Sequence, residues 1–130
     1  MASLQQDWQN YIPTEYCNLP LHALRAFTVH RIGLYLDQEL AVLDNNAGTL
    51  RDYRGLADLV GFDYLEIDKF ESALDKGKMV LRRWMNTTMY ELEPATIGKL
   101  IECLSIMERD DILTDMLVTN KYFGKILFLV

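Results

Sequence analysis

From Pro20 onward the apolar residues of this chain recur at helical spacing, and almost no stretch alternates with the period of two that a strand requires. The clearest case is Ile97, Leu100, Ile101 and Leu104, which fall at i, i+3, i+4 and i+7 and so define one buried stripe of a helix. Pro94 and Thr96 stand just ahead of that stripe, where proline is tolerated and a threonine hydroxyl can accept from an early backbone N–H. A chain patterned this way has to bury helix against helix, so the fold class expected is all-α.

Local signals divide the pattern into six helices. The first runs through Leu21, Leu24, Val29, Ile32, Leu36 and Leu40 with a break near Phe27 to Val29, and "LDNNAGTL" (43–50) then reads as a loop. The second starts at Thr49 or Asp52 and stops at Gly61, a residue suited to the left-handed turn after a helix. Asp63 followed by Glu66 is a capping box that opens the third, whose buried face is marked by Ile67, Phe70 and Leu74. "DKGK" (75–78) interrupts, and "MVLRRWMNTTM" (79–89) supplies the fourth, with Val80, Leu81 and Trp84 inward. The fifth follows Pro94, and the sixth spans about Asp110 to Val118. Short connections make this a compact six-helix antiparallel bundle. The expected layout is an arm over 1–19, a helical domain over 20–118 and a tail over 119–130. Within that tail "KYFGKILFLV" has high β propensity and is an aggregation hazard if exposed.

Composition removes several functions. A net charge of −6 works against binding nucleic acid, which needs positive charge to neutralise phosphate. The apolar run Ile126 to Val130 is far too short to span a bilayer, and "MASLQQDWQN" lacks the basic and apolar segments of a signal peptide. Cys17 and Cys103 sit in no CxxC motif and are expected to be reduced thiols of a cytoplasmic protein. His22 and His30, eight residues apart on one helix, have no Ser or Cys at a catalytic spacing. Zinc would need all the scattered Cys and His residues together, and no glycine-rich phosphate loop occurs. "DNNAG" (44–48) has oxygen-rich side chains, but its glycine is out of register for a calcium loop, so it is a turn. No enzyme, cofactor or metal is expected, and the partners expected are proteins.

Charge is segregated along the chain. Lys76, Lys78, Arg82 and Arg83 form a basic segment, while Asp63, Glu66, Asp68, Glu71 and Asp75 precede it and Glu108, Asp110, Asp111 and Asp115 follow it. The plain reading is a solvated surface. The sharper one is that separate basic and acidic patches dock head to tail on other copies, which builds rings or helices of subunits. Asp110 is placed to cap the sixth helix and Asp111 lies in its first turn, so Arg109 and Asp111 are surplus to the cap and are expected to face a partner, a well-capped surface turn being the alternative.

The segments "LPLHALRAFTVHRIGLYL" (19–36), "LADLVGFDYLEI" (56–67), "VLRRW" (80–84) and "TIGKLIECL" with "ERDDIL" (96–113) resemble a death domain. In detail they are similar to the death domains of the myeloid differentiation primary response adaptors of Toll and interleukin receptor signalling. The resemblance spans roughly 19 to 117. It implies a Greek-key-like six-helix fold and a non-enzymatic signalling adaptor of innate immunity. Such a module oligomerises helically through contacts with copies of itself and recruits the death domains of interleukin-receptor-associated, Pelle- or Tube-like kinases. Three contact types are implied. Asp58 falls in the one that joins the second and third helices to a neighbour's first and fourth. Arg82, Arg83 and Trp84 fall with Arg109, Asp110 and Asp111 in another. Glu66 and Lys69 fall in the third. Trp84, one turn from Val80, has a competing reading as a core residue, which such a position more often is. Adaptors of this kind continue into a receptor-binding domain, and a short form without one is expected to act as a competitor. A Tube-like or kinase-borne death domain, or a bundle that only shares the fold, is the alternative.

Overall fold

The computed structural model describes residues 17–38, 48–87 and 92–123. After a short 3-10 turn over Leu21–Ala23 come α1 (Ala26–Asp37), α2 (Tyr53–Val60), α3 (Tyr64–Phe70), α4 (Lys76–Asn86), α5 (Ile97–Ile106) and α6 (Asp110–Phe123). Among the described residues there is no strand, and an isolated bridge pairs Pro20 with Thr96. The fold is an all-α six-helix bundle.

The helix boundaries follow from side-chain chemistry. Asp52 caps α2 by accepting from Arg54 N, Asp63 caps α3 by accepting from Glu66 N, and Thr96 caps α5 by accepting from Lys99 N. Gly61 closes α2 at φ 111°, a left-handed conformation that only glycine adopts without strain. α1 packs against α4 and α6, while α2 bridges α4 and α5. The crossing of α1 and α4 is very close, since a Cβ on Gly77 would lie 2.5 Å from the Gly33 carbonyl oxygen. Leu36, Leu56, Val80, Trp84, Leu100 and Leu104 fill the core between these helices.

Five expectations change. The break in the first helical segment lies at Leu24 and Arg25, which are extended, so His22 sits on the 3-10 turn and His30 on α1 rather than on one helix. "DKGK" does not interrupt: α4 begins at Lys76, where Asp37 accepts from Gly77 N at 2.6 Å. Leu74 lies beyond the end of α3 and is 96% exposed, not buried. α6 continues past Val118 to Phe123, so part of the strand-like tail is helical. Residues 17–19, expected in the arm, are tied to the domain by the Leu19 carbonyl, which accepts from Ile97 N at 2.9 Å. Leu40, most of the 43–50 loop and the stretch 124–130 lie outside the described residues.

Candidate interaction surface

The residues that sequence assigns to contact patches divide by burial. Asp58, Lys69, Arg82, Arg83 and Asp111 are exposed, and Glu66 and Asp110 are half-buried. Trp84 and Arg109 are buried, at 1% and 3% exposure, which corrects their assignment to an open patch. Trp84 projects from α4 into the core, and its Nε1 donates to the Glu93 carbonyl at 2.7 Å. Both the ring and its polar atom are therefore satisfied inside the fold.

Arg109 is held just as firmly. Its Nε and Nη2 donate to the two carboxylate oxygens of Asp111, each at 3.0 Å, and its Nη1 donates to the Arg51 carbonyl. Arg51 reciprocates, with Nε donating to the Met107 carbonyl at 3.1 Å and Nη2 to the Glu108 carbonyl at 2.9 Å. Two arginines thus lock the segment before α2 onto the α5–α6 turn. The turn ends α5 with paired bonds, Glu108 N to Ser105 O and Arg109 N to Leu104 O, around Glu108 at φ 59°. The Arg109 carbonyl then accepts from Ile112 N and Leu113 N, so Arg109 occupies the cap position expected of Asp110. Asp110 and Asp111 both lie in the first turn of α6, where the helix dipole favours negative charge. Of the run Arg109 to Asp111, only Asp111 presents an exposed charge.

Burial pushes the Asp111 carboxyl up, but the bonds and charge of Arg109, with backbone N–H groups, outweigh it and leave the group below its ordinary range. A depressed carboxyl contributes stability above its unfolded pKa, near 4, and loses it as pH falls through the folded value. Asp111 is 53% exposed, so solvent screening limits the contribution to under ~1 kcal/mol. Thermal melts should therefore show Asp111→Asn slightly less stable than wild type at pH 7. The gap should close as pH falls through the folded-state pKa, where the wild-type carboxyl gains its proton.

Charge on α4 is divided by face. Arg83 reaches Glu66 on α3 at 3.6 Å, which brings together two residues that the resemblance places in different contacts. Lys78 and Arg82 instead border a cavity of about 320 Å³ between α4, α1 and the 3-10 turn, shared with His22 and His30. Leu24, Val29 and Met85 also line it. Among the described residues Lys78 and Arg82 have no ion-pair partner.

An opposite surface surrounds α3. Tyr64 and Leu65 are 79% and 68% exposed, and Leu74 follows beyond the helix end. Asp63, Asp68, Glu71 and Asp75, all exposed, surround them with negative charge. Sequence reasoning missed Tyr64 and Leu65, although both lie off the Ile67–Phe70 stripe and so had to point outward.

Elsewhere the chemistry is quiet. Burial pushes the Cys103 thiol up to about 12 and raises that of Cys17, so neither is an activated nucleophile. Among the described residues no three His, Cys, Asp or Glu groups gather as a metal site, and no helix is long and apolar enough to cross a membrane.

A family model described as Death domain matches residues 38–117, more than half of the chain. The chain belongs to the death-domain family. Death domains are non-enzymatic interaction modules that bind other death domains. In this death domain α1 precedes the matched region yet packs into the same core through Ile32 and Leu36.

Proposed function

We propose that this death domain is the assembly module of an adaptor in Toll and interleukin receptor signalling. It stacks on copies of itself in the cytoplasm and recruits the death domains of Pelle- or Tube-like kinases. The observation that carries this reading is the pairing of two unlike amphipathic patches. One is acidic and apolar, built around Tyr64, Leu65 and Leu74 of the α3 region. The other is basic and apolar, the groove bordered by Lys78 and Arg82.

A patch of one sign repels its own copy, so the favourable contact joins unlike patches and is heterologous. A docked pair then keeps one free patch of each kind, and growth continues. Asp58, Lys69, Arg83 and Asp111 supply charge for further contacts along the stack. Isolated exposed ion pairs contribute below ~1 kcal/mol each. Assembly therefore draws on several contacts made together, with the apolar residues adding burial, and it rises steeply with concentration. Cys17 and Cys103, both free, suit a reducing compartment.

Light scattering tests the reading. Arg82→Glu and Asp68→Lys should each reduce assembly about tenfold or more while leaving the helical signal and melting temperature unchanged, because both side chains are exposed. The two variants mixed should recover part of the loss, and wild-type assembly should weaken as salt rises. Assembly unaffected by either reversal would overturn the proposal. Mixing with a kinase death domain tests recruitment in the same instrument.

A further inference from the structure

The groove between α1 and α4 holds two groups that the charge argument does not use. His22 comes from the 3-10 turn and His30 from α1, and both are exposed on the cavity that Lys78 and Arg82 border. The remaining lining residues, Leu24, Ala26, Val29 and Met85, carry no charge. Among the described residues no carboxylate lines the groove. Asp115, which α6 turns toward α1, is taken by Arg31, whose Nε and Nη2 each donate to it at 3.0 Å. Among the described residues the imidazoles therefore share the groove with two cations and no anion.

We infer that His22 and His30 are docking residues that couple assembly to proton uptake. This rests on the reading that the groove receives the acidic α3 region of a second copy. Imidazole is the side chain whose ordinary charge change falls between pH 5 and 8, whereas carboxylates as a class are still ionised at pH 6. Docking brings in Asp63, Asp68, Glu71 and Asp75, or some of them, and a carboxylate beside an imidazole favours its charged form. Protons then bind with the partner, and by linkage a lower pH tightens the contact. Exposed ion pairs are individually weak, so two of them give about a three- to tenfold gain between pH 7.5 and pH 6.0.

An acidic protein also loses net repulsion as pH falls, so the wild type alone does not decide the matter. The deciding comparison is sedimentation of wild type, His22→Gln/His30→Gln and Arg82→Glu at pH 7.5 and 6.0, with circular dichroism to verify folding. The expected result is a three- to tenfold tightening in wild type and a largely flat response in the double glutamine variant. A wild type that does not tighten, or a double variant that tightens equally, overturns the inference while leaving the docking reading intact. Assembly unchanged by Arg82→Glu at both pH values overturns the docking reading and the inference with it.

Discussion

Trp84→Ala is expected to destabilise the domain by about 3–5 kcal/mol, the range for removing a buried tryptophan from a packed core. The ring is 1% exposed and belongs to the same buried cluster as Leu36, Leu56, Val80 and Leu104. Its Nε1 bond to the Glu93 carbonyl also anchors the segment that leads into α5, and Glu93 N in turn donates to the Val60 carbonyl at 2.9 Å. The substitution therefore opens a cavity and frees a connection between α4, the end of α2 and α5. A domain of this size is stable by only ~5–15 kcal/mol, so the loss is a large fraction of the whole. Trp84→Phe keeps most of the ring and gives up the hydrogen bond, and should lose much less, though more than the ~1 kcal/mol of an average bond. Urea denaturation monitored by circular dichroism measures both. A Trp84→Ala variant with an unchanged midpoint but impaired assembly would restore the tryptophan to the interface.

Features controlled by neighbouring residues were legible in the sequence. Thr96 caps α5 and Gly61 ends α2 because the interactions involved reach only a few residues along the chain. The stripe Ile97, Leu100, Ile101 and Leu104 was legible for the same reason, since one periodic face suffices to define it. Features controlled by distant partners were not. "DKGK" contains the glycine and charges of a loop, yet Asp37, 40 residues earlier, accepts from Gly77 N and permits a helix there. The glycine is present because α1 passes too close for a side chain. Arg109 looked like a spare surface charge because the carbonyl it binds, that of Arg51, lies 58 residues away. Glu108 gave no sign of its left-handed turn, for such positions ordinarily carry glycine or asparagine. Leu74 continued the helical period on paper, but α3 ends before reaching it. Opposite charges on different segments were legible. Which of them border the groove and which surround α3 depended on which way α4 faces.

Gly55→Ala should be the most damaging single-methyl addition in the domain. In an ordinary helix interior this change stabilises by roughly 1 kcal/mol, because glycine is a poor helix former. Here the sign reverses. A Cβ on Gly55 would lie 1.8 Å from the Leu50 carbonyl oxygen and 2.6 Å from its carbon, distances that no real side chain tolerates against backbone. Either α2 or the 50–51 segment must move. Arg51 belongs to that segment, and both its side chain and its carbonyl hold the α5–α6 turn through Met107, Glu108 and Arg109. Displacement would therefore loosen the turn that presents Asp111, as well as the packing of α2. The expected loss is about 3 kcal/mol, at the upper end of what overpacking usually produces. Asp58→Ala, also on α2 but exposed, should stay within about 0.5 kcal/mol of wild type and serves as the reference. Should Gly55→Ala melt at or above the wild-type temperature, the close approach of residues 50–51 to α2 is wrong, and with it the account of how Arg109 is held.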